Sequence, residues 1–345
     1  MKIAILGDTH FSIRKGDKNF SDYFKKFFVN VFFPYLKEQN IKTIFQSGDL
    51  FDDRRNTNLY GFSECKKYFF DYLKENDISM YVILGNHDIA YKNSLEINSP
   101  ALLLKEYDNI HIIDKPIIIE DILCIPWICS SNEYECLKAI NESCTDICFG
   151  HFELANFSMY KGIENREGMD PKILSKFEFV FSGHYHHKSN KNNIYYVGTP
   201  YELTMHDVDD PRGFHIFDLS NRDLQFIQNP YKMFNIIEYS EDICFSELPK
   251  YENTYIKVYV KDRTDQFEVF LDHLNQVNPI KINIIEDIKD LSSDEELNLE
   301  IESTQNIITK YIDGIKHKDI DINKLKREML SLYEQANRLK NESSI

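Results

Sequence analysis

The stretch Val82-Ile83-Leu84-Gly85-Asn86-His87-Asp88 decides the fold. A short apolar run stops at a glycine, and three side chains able to bind metal or move protons follow at once. This is how a buried strand delivers its cargo into a loop. The pattern occurs four more times. Ile3-Ala4-Ile5-Leu6 leads into Gly7-Asp8-Thr9-His10, and Thr43-Ile44-Phe45-Gln46 leads into Ser47-Gly48-Asp49. Asp146-Ile147-Cys148-Phe149 leads into Gly150-His151, and Phe179-Val180-Phe181 leads into Ser182-Gly183-His184-Tyr185-His186. Five strands ending this way bring their ligands to one edge of a sheet.

Working outward, the order through residue 84 reads βαβαβ, the signature of a mainly parallel α/β sheet. The helices are expected at about 21–39, with Pro34 kinking or ending the first, and at 57–75. A short helix is expected at 99–107. Ile110–Ile113, Pro116–Ile119 and Ile122–Ile125 read as three short strands of a second, more antiparallel sheet, with a helix near 131–142 and a closing hairpin at 215–218 and 224–227. Two sheets with helices outside is the simplest packing. Past about residue 230 the strand–glycine–ligand pattern stops. Met233–Tyr239, Tyr255–Val260, Asp265–Gln276 and Ile280–Ile285 read as strand, strand, helix, strand, a small α+β unit. Residues 286–302 carry eight acids against Lys289, the composition of a solvated tether. Helical patterns follow near 297–313 and 322–340, the latter with Ile322, Leu325, Met329, Leu332, Tyr333 and Ala336 on one stripe.

A chain of 345 residues suggests two domains and an appendage. Its 42% hydrophobic and 28% charged residues are ordinary for a globular protein, and aromatics at 14% can fill a sizeable core. A net charge of −16 argues against wrapping nucleic acid by bulk charge, though bound cations can invert the local potential. The seven cysteines contain no CxxC pair and fit reduced thiols packed as small hydrophobes. The strand that starts at Lys2 leaves no room for a signal peptide, and no apolar run reaches the roughly 20 residues of a membrane span. The expected location is cytoplasm.

The candidate ligands are Asp8, His10, Asp49, Asn86, His151, His184 and His186. Carboxylate, imidazole and amide without thiolate suit Mn²⁺, Fe²⁺ or Zn²⁺ better than Ca²⁺ or Mg²⁺. Seven ligands exceed the needs of one ion and suit two that share a carboxylate. Two ions roughly 3.5–4 Å apart can hold a hydroxide and grip a phosphate for in-line attack. His87 can then protonate the leaving oxygen, with Asp88 holding its ring. Any one Asp-x-His or Gly-His alone is more often structural; the ordered set carries the reading. His187 and His206 lie outside the pattern but could face the cleft. Lys15, Lys18, Arg54, Arg55, Lys188 and Lys191 flank the ligand loops and are the candidate phosphate contacts.

The ordered set Asp8-x-His10, Gly48-Asp49, Gly85-Asn86-His87-Asp88, Gly150-His151 and Gly183-His184-x-His186 resembles the calcineurin-like metallophosphoesterase superfamily over residues 1–230. Gly48-Asp49-Leu50-Phe51-Asp52, Ile125-Pro126-Trp127, Gly198-Thr199-Pro200 and Asp210-Pro211-Arg212-Gly213-Phe214 narrow the likeness to SbcD-like DNA exonuclease subunits of SbcCD-type recombination complexes, and most closely to their bacteriophage relatives. The resemblance implies a four-layer α/β/β/α sandwich over residues 1–230. It also implies a small α+β capping, DNA-binding domain over 231–285, and an acidic linker with C-terminal helices for partner binding over 286–345.

The resemblance further implies two Mn²⁺ ions. Asp8, His10 and His186 would hold one, Asn86, His151 and His184 the other, with Asp49 bridging and His87 catalytic. The implied activity is 3′-to-5′ exonuclease on duplex DNA ends and endonuclease on single strands. An SMC-like coiled-coil ATPase is the implied partner, in host cytoplasm if the chain is phage-encoded. A homodimer through helices of the nuclease domain is implied as well, for which the 21–36 or the 57–75 helix could serve. Many cellular members carry a histidine shortly after the Gly-Asp of the second motif, where this chain has Asp52. A carboxylate cannot offer an imidazole's proton near neutral pH unless its pKa is strongly raised, so the balance of end-directed and internal cleavage is not carried over. The same metal core also serves phosphatases and cyclic-nucleotide phosphodiesterases, the alternative function, because fold does not fix function.

Overall fold

Alternation along the strands explains the layering. In Lys2–Leu6, Ile3 and Ile5 face one way and join Phe45, Ile83, Phe149, Phe181, Val197 and Phe217 in an apolar layer. Ala4 and Leu6 face the other way and pack with Ile44, Met80, Val82 and the phenylalanines of the first helical segment. The same alternation recurs in Ile122–Ile125, where Ile122 and Cys124 meet the shared layer while Leu123 and Ile125 pack under Cys136 and Ile140 of the helix Glu133–Glu142. Period-two strands with both faces apolar require cover on both sides. The result is helices, sheet, sheet, helix. The computed structural model describes residues 1–160, 163–286 and Lys324, with Met1–Glu286 holding together as one unit. The expected helices near 297–313 and 322–340, and the acidic run beyond Glu286, lie outside the described residues.

The first sheet runs in the order Leu224–Gln228, Gly213–Asp218, Lys2–Leu6, Thr43–Gln46, Ser79–Ile83, Ile110–Ile113. Its last four strands are parallel and the 213–228 hairpin closes one edge antiparallel. The second sheet runs Ser189–Lys191, Ile194–Tyr196, Phe179–Ser182, Ile147–Gly150, Ile122–Ile125, Ile117–Ile119. Two expectations are corrected here. Ile110–Ile113 pairs with Ser79–Ile83 in the first sheet, not with its sequence neighbours. The second sheet is parallel at its centre, with antiparallel partners only at its two edges. Its central strands are buried on both faces, which is what parallel strands need.

Helical backbone runs from Lys18 to Glu38 without ending at Pro34. Asp17 caps it, accepting from the Asn19 N–H. A π turn at Phe28–Phe32 precedes the proline, with the Phe33 N–H reaching back to the Phe28 carbonyl. That widened turn absorbs the missing proline donor. Leu59–Glu75 has its own π turn at Lys66–Phe70, and the two π turns pack together through Phe28 and Phe69, ring centroids 4.6 Å apart. Phe20, Phe24, Phe27, Phe28, Phe32 and Phe33 are all buried. These rings are therefore core, while Val29 on the first helix and Leu59 and Tyr60 on the second are exposed. The helix expected at 99–107 is the single turn Ser99–Leu103, preceded by an unanticipated hairpin at Ile89–Tyr91 and Ser94–Asn98.

Phe234–Glu238, Tyr255–Tyr259 and Lys281–Ile285 form a parallel three-stranded sheet covered by the helix Gln266–Gln276. Glu202 ties this unit to the body. Its Oε2 accepts from the Met233 and Phe234 N–H groups at 2.7 and 2.8 Å. Among the described residues no helix is long and apolar enough to cross a membrane.

Candidate metal centre

All seven candidate ligands sit just past the carboxyl ends of parallel strands, three loops from the first sheet meeting two from the second. Glycine makes the meeting possible. Gly48 has φ of +104°, and a Cβ there would strike the His151 ring. A Cβ on Gly183 would strike the Asp8 carboxylate and Ser47. His10, Asp49 and His184 take positive φ without being glycine, a strain that loops accept when the surroundings over-determine them.

Three groups of ligand atoms draw together among the described residues: His10, Asp52 and His87 form one, and the other two are built from the candidate ligands alone. In the first of these two, His10 Nε2 lies 3.0 Å from His186 Nε2, and one oxygen of Asp8 falls within 4.8 Å of both rings' ligand atoms. Asp8 is fixed by the Ser47 hydroxyl, which donates to Oδ1 at 2.9 Å, and by the His184 N–H, which donates to Oδ2 at 2.8 Å. In the other, His151 Nδ1 donates to the Ser47 carbonyl at 2.7 Å, so in the neutral ring it is Nε2 that carries the lone pair. That Nε2 faces Asn86 Oδ1 at 3.0 Å and Asp49 Oδ2 at 3.4 Å. His184 Nδ1 lies 3.0 Å from the same Asn86 oxygen. Asp49 Oδ2 is also 4.0 Å from His10 Nε2, which places one carboxylate between the clusters. Acceptors converging on a point with few protons to share form a cation's site, and the donor set fits a divalent metal.

The electrostatics agree. Burial pushes the Asp8 carboxyl up to about 6 despite the facing His151. Burial would also raise Asp49, but the imidazoles of His151, His87 and His10 together hold it well below the usual range. Burial works against a charge on His10 and His151, yet the surrounding carboxylates raise both to about 9. His184 falls to about 3 through burial and the facing His151, and burial with His10 depresses His186. The buried acids demand positive charge, and protons and metal ions compete to supply it.

His87 stands at the edge of this array. Its main-chain N–H donates to Asp49 Oδ1 at 2.7 Å, and its Nδ1 donates to the Asp52 carbonyl at 2.6 Å. The ring is thus held with Nε2 free to act. Asp88, expected to hold that ring, does not. Its fully buried carboxylate accepts from the Gly85 N–H at 2.9 Å and the Phe51 N–H at 3.2 Å, pinning the Asn86-His87 turn from beneath. Burial and the nearby Asp49 raise it to about 7. Sequence adjacency pointed to the wrong partner: the Asp88 carboxylate is taken by the Gly85 and Phe51 amides and the His87 ring by the Asp52 carbonyl.

Asp52 is the residue that sequence reasoning undervalued. Besides its carbonyl on His87, its Oδ1 lies 3.3 Å from His10 Nδ1. Arg212, buried, joins Asp207 at 2.6 Å, Asp210 at 2.7 Å, Thr199 Oγ1 at 2.8 Å and the His186 carbonyl. His187 pairs through Nδ1 with Asp210 at 2.9 Å. Trp127 lies against His184, ring centroids 5.1 Å apart. Of the six basic residues suggested for phosphate, Lys18 pairs with Asp22 and Lys188 lies over the Phe226 ring at 4.4 Å. Lys15, Arg55 and Lys191 are exposed, and Arg54 is half-buried.

A family model described as calcineurin-like phosphoesterase matches residues 1–188. The chain is 32% identical over 346 residues to exonuclease subunit 1 of enterobacteria phage T4, covering 98% of each. It is 26% identical over 241 residues to the DNA double-strand break repair protein Mre11 of Methanocaldococcus jannaschii, covering 64% of this chain and 61% of the relative. It is 23% identical over 293 residues to a subunit of the nuclease SbcCD of Staphylococcus epidermidis, covering 73% of this chain and 76% of that subunit.

Proposed function

The chain belongs to the calcineurin-like phosphoesterases, and on that footing we propose that it is a manganese-dependent DNA nuclease, cutting duplex ends as a 3′-to-5′ exonuclease and single strands as an endonuclease. The observation that carries this reading is the convergence of His151 Nε2, Asn86 Oδ1 and Asp49 Oδ2 beside the His10–His186 pair. DNA as substrate is supported by the relatives, whose names are those of nucleases and a strand-break repair protein. Asp8, His10 and His186 would hold one divalent ion and Asn86, His151 and His184 a second, with Asp49 between. Bound there, such ions supply Lewis acidity, offsetting phosphate charge and acidifying water. The protein's own residues do the rest. Ser47 fixes the His151 tautomer and Asp8, Asp88 pins the turn, and His87 delivers a proton from Nε2 to the oxygen leaving phosphorus while its Nδ1–H stays on the Asp52 carbonyl.

The same proposal makes the chain the nuclease subunit of a recombination and repair complex with an SMC-like coiled-coil ATPase, acting in cytoplasm and as a homodimer. Residues 231–285 serve as a DNA-binding cap, and 286–345 as the tether and docking segment. The test is incubation of the full chain with Mn²⁺ and linear duplex DNA, single-stranded DNA or p-nitrophenyl phosphate. Cleavage of DNA is expected. Turnover of the small ester with DNA untouched, even with the ATPase present, would replace the nuclease by a phosphatase.

A further inference from the structure

Histidine ligands of metals need their second ring nitrogen tied down, because a ring that swivels presents the wrong atom. His151 has the Ser47 carbonyl for this purpose. His10 has no backbone acceptor. Its Nδ1 is buried with no hydrogen bond closed upon it, and the acceptor facing it is Asp52 Oδ1 at 3.3 Å. On the opposite edge of the ring, Nε2 points at His186 Nε2. Asp52 itself is not locked in the core; about a quarter of its side chain, 28%, is exposed, and its main-chain carbonyl is occupied by His87. One residue therefore touches both the ligand ring and the proposed proton donor, the first through its side chain and the second through its backbone.

We propose that Asp52 is a positioning residue. Its carboxylate takes the His10 Nδ1–H and so turns Nε2 into the metal site, forming a carboxylate–histidine–metal relay at the Asp8–His10–His186 cluster. The inference rests on the metal-centre reading above. The two contacts are separable by substitution, because a side-chain change removes the His10 contact and leaves the Asp52 carbonyl on His87. Asp52→Ala should therefore loosen one ion without disarming His87. Asp52→Asn keeps an oxygen able to accept from Nδ1 and should fall between.

The test is Mn²⁺ binding to the full chain, read by electron paramagnetic resonance without DNA, beside the Mn²⁺ dependence of DNA cleavage. Removal of such a partner typically costs 10–100-fold in metal affinity. In Asp52→Ala one of the two Mn²⁺ sites should weaken by about that factor, with the other unchanged. The Mn²⁺ concentration for half-maximal cleavage should rise in step, and turnover at saturating Mn²⁺ should return close to wild type. The metal-free melting temperature should stay near wild type, since a mostly structural residue would lower it. Wild-type Mn²⁺ affinity in Asp52→Ala overturns the inference and leaves the nuclease reading standing. Unchanged affinity with turnover lost at saturation also overturns it, assigning Asp52 to the DNA instead. Wild-type protein that binds no Mn²⁺ overturns both.

Discussion

Replacing His87 by Asn separates chemistry from metal binding. The Asp49 carboxylate is held by the His87 main-chain N–H at 2.7 Å, not by the ring, so the substitution leaves the contact that orients the central carboxylate. The ring contributes one hydrogen bond, from Nδ1 to the Asp52 carbonyl at 2.6 Å, worth about 1 kcal/mol of stability. What Asn lacks is the proton on Nε2. A positioned general acid contributes about 10²–10⁴-fold, or roughly 3–5 kcal/mol of barrier. Cleavage of linear duplex DNA under saturating Mn²⁺ should therefore fall by that factor, while bound Mn²⁺ and DNA affinity stay near wild type. Turnover within a few-fold of wild type would remove His87 from proton transfer. Loss of bound metal would show that the ring belongs to the ligand set.

Other perturbations probe the rest of the site. Asp49→Ala should lose both ions in metal analysis, because Asp49 Oδ2 lies between His10 and His151; two ions retained would contradict the shared role. Arg212→Met strands Asp207 and Asp210 in the interior, and breaking a buried ion pair costs about 3–5 kcal/mol. Urea unfolding should read a loss of that size, and a loss under about 1 kcal/mol would mean that the network is relieved by water. Glu202 is raised from 4.5 to about 7 by burial. The folded state holds that proton more tightly than the unfolded chain, so stability falls as pH rises from 4.5 through 7, by on the order of 3 kcal/mol. Glu202→Gln keeps an oxygen for the Met233 and Phe234 N–H groups, so it should match wild type near about pH 5 and exceed it near about pH 8. Parallel curves for the two proteins would show that the carboxyl is already ionised at the lower pH.

The site was legible wherever a ligand follows its own strand. Asp8, Asp49, Asn86, His151 and His184 each come within three residues of an apolar run, so the topology that places the strand ends also places them. Partners that arrive from elsewhere were not legible. Nothing in Gly85-Asn86-His87-Asp88 tells that Asp88 turns back to the Gly85 and Phe51 amides while Asp52 reaches His87 from another loop. The fold shows the same limit. Most strand positions followed from hydrophobic runs, and the parallel opening and the closing hairpin paired as expected, but the partners of the strands between them did not follow. Ile110–Ile113 carries no mark that it completes the first sheet, because both sheets bury strands of the same composition. The π turns were hidden because a widened turn keeps the apolar stripe facing the core, as Phe27, Phe28 and Phe32 do.

The most direct measurement is the number of Mn²⁺ ions bound per full-length chain, determined on the same preparation that is assayed on linear duplex DNA. Two ions per chain, with cleavage that chelation abolishes and Mn²⁺ restores, is the expected result. A single ion, or two ions with DNA left intact, would contradict a paired metal centre built for phosphodiester cleavage.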